Sequence, residues 1–138
     1  MELAGLMDVY RTSVLNKDIE GLMALYGREI QAFDTWDRWA FVGLEQWREM
    51  NVNWFRSVGD DRDRVDFEDV TILPGESVGA VIATVTYSAV STAGEVLRLM
   101  KTRLTWVAKR DGGVWKIVHQ HASVPIDSNL KAILRPGG

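Results

Sequence analysis

Asp111-Gly-Gly-Val-Trp115-Lys-Ile-Val-His119-Gln-His121-Ala-Ser123-Val-Pro125 is the stretch of sequence that decides the fold. The Asp-Gly-Gly turn signal, followed by β-branched and aromatic residues, predicts a hairpin that ends in a long strand. His119 and His121 are two residues apart, so both side chains are expected on one face of that strand, together with Trp115 and Ile117. The chain has no other histidine.

The β-rich pattern continues upstream of this hairpin as far as Val65, and turn signals at 74–75 and 92–94 divide it. A meander of four strands follows, in which three long strands are predicted over 78–90, 95–109 and 114–124. A change of apolar phase between Phe67 and Val70 predicts a bulge near Glu68-Asp69. Strands longer than the usual five or six residues indicate a long and curved sheet.

The first 60 residues have helical periodicity, interrupted by one strand. Asp18 is the predicted N-cap of the second helix, and Gly27 is placed at its C-terminal end. The predicted elements are a helix over 2–15, a second helix from Asp18 to Gly27, a strand over 29–35, an irregular link over 36–42 and a third helix between Gly43 and Gly59. The mixed charges of 60–64 predict a solvated loop, and the tail from Asp127 to Leu134 predicts one last helical turn.

Composition limits the classes of protein that the chain can belong to. With 138 residues, 46% hydrophobic and 25% charged, it is expected to form a single domain over residues 1–138. A net charge of -3 without a basic run argues against a nucleic-acid partner, and the absence of cysteine excludes disulfides and thiolate metal sites. No signal peptide and no apolar run of about 20 residues is found, so we expect a cytoplasmic protein without a membrane partner.

The Gly turn, the Trp and the His-x-His-x-Ser ending resemble the closing segment of SnoaL-like, nuclear-transport-factor-2-like domains with a cystatin-like fold. They are also similar to the association domain of calmodulin-dependent kinase. Lys101-Thr-Arg103 and Ala32-Phe33-Asp34 look like further family positions. The resemblance implies an α+β fold, in which three N-terminal helices pack on a strongly curved, mainly antiparallel sheet and form a cone with a pocket.

The predicted sheet is apolar on both of its faces. Leu97 and Leu99 point to one side of the pleat, and Leu104 and Trp106 point to the other. Because the helices can cover only one face, a partner subunit is the economical cover for the second face. We therefore expect a homodimer.

Three residues are candidates for proton transfer and charge stabilisation. Asp34 lies next to indoles, where desolvation would raise the pKa of its carboxyl group and suit it to act as a general base, with His121 as its proton partner. Arg103 would anchor a substrate carboxylate, enolate or carbonyl. Each has a structural alternative: Asp34 as a turn or cap residue, His121 in packing or at a subunit interface, and Arg103 in a salt bridge with Asp34.

Aromatic residues are the candidates for a hydrophobic ligand wall. The predicted ligand-binding residues are Tyr26, Trp36, Trp39, Trp54, Phe55 and His119. Core packing is the alternative for those on the third helix. His119 and His121 could also hold two corners of a metal site, but no third ligand is legible, so neither a metal nor a cofactor is predicted. No nucleophile turn and no phosphate loop is present.

Two functions of different classes remain open at this point. The first is a cofactor-free isomerase, cyclase or dehydratase that acts on a hydrophobic carbonyl compound by general acid-base catalysis, as ketosteroid isomerases and polyketide cyclases of this superfamily do. The second is a non-catalytic ligand-binding or dimerisation module. The resemblance covers members of both kinds, so the sequence leaves open whether the protein is an enzyme.

Overall fold

Six strands form one curved, unclosed sheet in the computed structural model, which describes residues 2–136. The elements are α1 (Gly5–Leu15), α2 (Ile19–Met23), β1 (Tyr26–Phe33), β2 (Phe41–Val42), α3 (Leu44–Val58), β3 (Arg62–Leu73), β4 (Val78–Val90), β5 (Val96–Asp111) and β6 (Val114–Ser123). The strand order is β2-β1-β6-β5-β4-β3. Only the β1–β6 pair of these described strands is parallel. The α+β class and the mainly antiparallel sheet agree with the sequence analysis.

The three helices begin and end at residues with clear local reasons. The Asp18 carboxylate accepts a hydrogen bond from the Gly21 backbone N–H at 3.0 Å, as predicted for the N-cap of α2. Gly43 and Gly59 bound α3 with φ angles of 87° and 63°, which are open to glycine at little cost. β1 and β2 lie between α2 and α3 along the chain.

The inner face of the sheet carries the core. α1 packs against β3 and α3 against β1, and both bury one apolar stripe, as helical spacing of the apolar residues requires. Trp106 of β5 is fully buried at the centre of this layer. The largest fully buried side chains are those of Leu6, Val14, Leu22, Ile30, Val65, Val81, Val85, Trp106 and Ile117. Their removal from water is the main driving force for packing the helices on this face.

Register shifts occur in four of the described strand pairs, β1–β6, β3–β4, β4–β5 and β5–β6, and only that of β3–β4 was predicted. The β3–β4 register shifts between Glu68 and Thr71, where Asp69 has a φ of 52°, which confirms the expected irregularity. In the β5–β6 pair, Val107 pairs with His119 while Ala108 pairs with Ile117. Val118 is thus an extra residue in β6, and an extra residue reverses the face of every side chain that follows it.

Several element ends differ from the sequence-based boundaries. Gly27 lies inside β1 and not at the end of α2, because Tyr26 already pairs with Ile117 of β6. Arg62 and its neighbours belong to β3, so the mixed-charge segment is only partly a loop. No helix forms in the described tail after β6, residues 124–136, so the predicted last helical turn is absent. Instead, the Lys101 N–H donates to the Leu134 carbonyl at 2.8 Å. A backbone donor in the part of β5 that extends beyond β6 is thereby paired.

None of the helices within residues 2–136 has both the length and the apolar character that crossing a bilayer requires.

Candidate functional site

A cavity of about 890 Å³ lies between α3, the loop after β1 and the inner face of the sheet. Aromatic rings form part of its wall, and polar side chains from the loop after β1 and from β3, β5 and β6 face it. The aromatic lining residues are Tyr10, Trp36, Phe41, Trp47, Trp54 and Tyr87, and the polar lining residues include Asp34, Asp63, Thr35, Thr102 and Gln120. A concave, largely aromatic site with a few polar groups has the usual composition of a small-molecule site.

Asp34 follows β1 and lies on the cavity wall. Its neighbour Phe33 pairs with His121 in the parallel β1–β6 ladder, which places Asp34 beside Ala122. Its Oδ2 atom is buried and forms no hydrogen bond with any residue from 2 to 136. Burial raises the pKa of the Asp34 carboxyl group, while the backbone N–H groups of Thr35 and Trp36 act in the opposite direction. The carboxylate is therefore a stronger base than one in water.

Four buried side-chain polar atoms in the described part of the chain lack a hydrogen-bond partner, and all four belong to residues that line the cavity. They are Asp34 Oδ2, Thr35 Oγ1, Trp47 Nε1 and Thr102 Oγ1. In folded proteins the large majority of buried polar atoms are paired, because an unpaired one costs free energy. Their concentration around one cavity indicates a place where a bound molecule would supply the missing partners.

Gln120 is a buried polar residue on β6 that holds one fixed orientation. Its Oε1 accepts a hydrogen bond of 2.6 Å from the Tyr26 hydroxyl and one of 2.8 Å from Trp106 Nε1. Both donors are themselves buried, and Gln120 is only 3% exposed. Because both bonds end on the oxygen, the amide NH₂ group is left as a donor on the cavity wall.

The hydroxyl groups of Tyr10 and Tyr87 form a second pair of polar groups on the wall, joined by a hydrogen bond of 2.8 Å. Burial raises the pKa of both hydroxyls, and the nearby charge of Asp34 adds to the effect. Both are therefore neutral at physiological pH. Only one of the two hydroxyl protons lies in the hydrogen bond between the oxygens, so the proton of the other hydroxyl can be donated to a ligand.

Arg103 and His121 do not line the cavity with Asp34, so the expectation that the three groups share one hollow is not met. Arg103 is exposed on the outer face of the sheet, and its Nε donates to Ser123 Oγ at 3.2 Å. His121 is exposed on the same face because the extra residue Val118 reverses the side-chain alternation of β6. The alternative ion pair between Arg103 and Asp34 does not form either.

His119 also lies on the outer face, half-buried against Phe33. Its Nδ1 lies 2.8 Å from the Gln31 carbonyl oxygen. The Phe33 ring contacts His119 and His121 edge-to-face, with centroids 4.9 and 5.5 Å away. No group of three His, Asp or Glu side chains suited to a metal ion occurs among residues 2–136. Trp115 and Ile117, expected on the same face as the histidines, are buried in the core instead.

The other aromatic residues predicted for the ligand wall divide into three groups. Trp36 and Trp54 line the cavity, and Trp54 Nε1 donates to Asp63 Oδ2 at 2.8 Å. Tyr26 and Phe55 are buried in the core, the alternative that core packing offered. Trp39 is 97% exposed. Tyr10, Tyr87, Thr102 and Gln120 were not predicted. Their only sequence signal is a polar group among apolar neighbours, in α1 for Tyr10 and in strands for the other three.

Comparison with known proteins identifies the family of the fold. A family model described as a SnoaL-like domain matches residues 4–127. A nuclear-transport-factor-2-like protein of unknown function from Pseudomonas putida KT2440 is 21% identical, with a TM-score of 0.83 over 99% of this chain and 94% of that chain. No curated protein matches the sequence significantly.

Two further solved structures are similar at the level of the fold. One is a Xanthomonas campestris protein assigned to the calcium/calmodulin dependent protein kinase II association domain, 16% identical, with a TM-score of 0.74 over 88% of this chain and 84% of that one. The other is a protein of unknown function with a cystatin-like fold from Nostoc punctiforme PCC 73102, 15% identical, with a TM-score of 0.73 over 94% and 91%. The resemblance found in the closing strand is thus confirmed for the fold.

Proposed function

Because this chain belongs to the SnoaL-like domain family, we propose that it binds a hydrophobic, carbonyl-containing small molecule in the cavity and transfers a proton on it without a cofactor. Isomerases, cyclases and dehydratases perform such reactions. The observation that carries the proposal is Asp34, a carboxyl group with a raised pKa and a buried, unpartnered oxygen on the wall of an aromatic cavity.

Asp34 acts as the base in this proposal. Loss of hydration raises the pKa of its carboxyl group, so the carboxylate has more to gain from accepting a proton. A carbon next to a carbonyl group is the acid that such a base can use, since the electron pair of the broken C–H bond moves to the carbonyl oxygen. The protonated Asp34 then returns the proton to the same molecule, which completes the reaction without an external acid.

The negative charge on the ligand oxygen needs donors that are fixed before the reaction begins. The amide NH₂ group of Gln120 is one such donor, because Tyr26 and Trp106 hold its oxygen. A free hydroxyl proton of the Tyr10–Tyr87 pair is a second one. These neutral donors take over the charge-stabilising role that was expected of Arg103, while Asp34 itself returns the proton that was expected to involve His121.

The proposal is tested by exchange of α-protons with heavy water, followed by NMR on 2-tetralone, a bicyclic enolisable ketone. We expect the protein to accelerate the exchange and Asp34→Asn to lower the rate by about 10²- to 10⁴-fold, the usual contribution of a general base. Asp66→Asn removes an exposed carboxylate on β3, outside the cavity, and is the matched control that should keep the rate. No acceleration by the unaltered protein, or an equal rate in Asp34→Asn, contradicts the proposal.

A non-catalytic dimerisation module is the second candidate, and the outer face of the sheet favours it. Phe33 of β1, Val107 of β5, Ile82 of β4 and Leu73 of β3 lie there, and Ile82 and Leu73 remain 40% and 51% exposed. A second copy of the chain would cover this strip and complete the predicted homodimer. Sedimentation equilibrium should then give a dimer that Ile82→Lys converts to a monomer. A monomeric unaltered protein would contradict it.

A further inference from the structure

Thr102 presents a polar group in an apolar part of the cavity. Its side chain lies on the inner face of β5 and is 5% exposed, and its Oγ1 forms no hydrogen bond with any residue from 2 to 136. Val85 is its direct neighbour on β4, and Leu104 follows two residues along β5 on the same face. No neighbouring polar side chain explains the hydroxyl, and burying it unpaired costs stability.

Thr102 and Asp34 lie at separate places on the cavity wall. Asp34 is beside Ala122 of β6, and Ala122 pairs with Leu104 of β5. Two strand spacings, or about 10 Å, therefore separate β1 from β5, and a step of two residues, or about 7 Å, separates Leu104 from Thr102. One small functional group cannot contact both side chains.

We propose that the Thr102 hydroxyl is a specificity-determining group that binds a second oxygen function of the ligand, at the opposite end from the oxygen held near Asp34. This inference rests on the proposed function for the first end alone. The ligand then carries oxygen atoms at two opposite ends of a rigid, apolar skeleton. Because a hydroxyl both donates and accepts, the second function is a ketone or a hydroxyl group, not an alkyl group.

Thr102→Val tests the proposal because it removes the hydroxyl and keeps the shape of the side chain. In the free protein the variant should be more stable, with a melting temperature higher by about 3–5 °C, since an unpaired buried polar group is lost. Thr105→Val is the matched control: it makes the same change on the same strand, on the half-buried outer face. The control should leave both the melting temperature and ligand binding unchanged.

Ligand recognition is measured with two probes that differ in one oxygen, 2-naphthol and naphthalene-2,6-diol, by isothermal titration calorimetry. We expect the protein to bind the diol more tightly, and Thr102→Val to weaken diol binding about tenfold without changing the affinity for 2-naphthol. Higher stability with weaker diol binding cannot come from a purely structural threonine, which would lower both.

The outcomes separate this inference from the function on which it rests. If both probes bind and Thr102→Val keeps the preference for the diol, Thr102 is not a ligand-binding residue, and the role of Asp34 is unaffected. If Thr102→Val lowers the affinity for both probes equally, the hydroxyl does not bind the second oxygen, and the inference is again overturned. If neither probe binds to the unaltered protein, both the cavity's proposed function and this inference are contradicted.

Discussion

The hydroxyl groups of Tyr10 on α1 and Tyr87 on β4 are hydrogen-bonded to each other at 2.8 Å, across 77 residues of sequence. The two rings therefore connect the first helix to the inner face of the sheet beside the cavity. Each hydroxyl is the partner that keeps the other from being an unpaired buried polar group.

Removing the first hydroxyl of this pair should lower the free energy of unfolding more than removing the second one from the resulting single variant does. We expect Tyr10→Phe to lower the free energy of unfolding by about 1–2 kcal/mol, because Tyr87 loses its partner in a buried site. In the Tyr10→Phe/Tyr87→Phe double variant the loss should be smaller than the sum of the two single losses. Urea denaturation of the four proteins measures the coupling, and simple additivity would show that the two hydroxyls do not interact.

All three tyrosines of the chain should resist ionisation. Burial raises the pKa of Tyr10, Tyr26 and Tyr87. At about pH 11, where an ordinary tyrosine with a pKa of ~10 is roughly nine-tenths ionised, the folded protein should have almost no tyrosinate absorbance near 295 nm. The same protein in urea is the control and should titrate normally, and circular dichroism checks that the fold persists. Full ionisation in the folded state would contradict the burial of these hydroxyls.

Stability should depend on pH through Asp34 in a direction opposite to that of a salt-bridged carboxylate. Because burial raises the pKa of Asp34 in the folded state, the folded protein binds more protons than the unfolded chain above about pH 4. The free energy of unfolding therefore falls as the pH rises through that range. Asp63, whose pKa is also raised by burial, contributes in the same direction.

Asp34→Asn should remove the part of the pH-dependent loss of stability that Asp34 causes. The variant should therefore be more stable than the unaltered chain at pH 7. At about pH 3 the difference should be smaller, because Asp34 is then largely protonated in both the folded and the unfolded state. Urea denaturation at several pH values measures the difference. A stability gain that stays constant from pH 3 to pH 8 would mean that the charge of Asp34 carries no burial cost.

The Asp18 cap should contribute about 1 kcal/mol to stability. Asp18→Ala removes the acceptor of the Gly21 N–H at the start of α2, a loss that usually costs 0.5–2 kcal/mol. Asp18→Asn keeps a capping oxygen and should lose only a small part of this. If both variants are equally destabilised, the charge of Asp18 matters more than the hydrogen bond.

The sequence predicts the elements better than it predicts the faces of the strands. Glycines with positive φ angles bound α3, and a phase change announces the bulge at Asp69, so both are legible in one sequence. Val118 is different, because one extra valine within a run of β-branched residues breaks no visible pattern. The register of β6 depends on its pairing with β5, which is a tertiary property.

That single residue explains why the faces of His119, His121 and Gln120 differ from a regular alternation of β6. With Val118 as the extra residue, His119 and His121 point outward and Gln120 points into the cavity. A strict two-residue alternation from Trp115 places the imidazoles inside and leaves the amide unnoticed. Asp34 is different, because it follows the last residue of β1 directly, with no register shift between Phe33 and Asp34, and it lies on the cavity wall.

The placement of Gln120 also determines how the cavity responds to acidity. An imidazole in its place would gain a positive charge between about pH 6 and pH 7 and would change the ligands that the cavity accepts. A carboxamide keeps the same charge at every physiological pH. The additional valine in β6 therefore places a side chain of constant charge at this point of the wall. The response of the cavity to acidity then depends on its carboxyl groups, Asp34 among them.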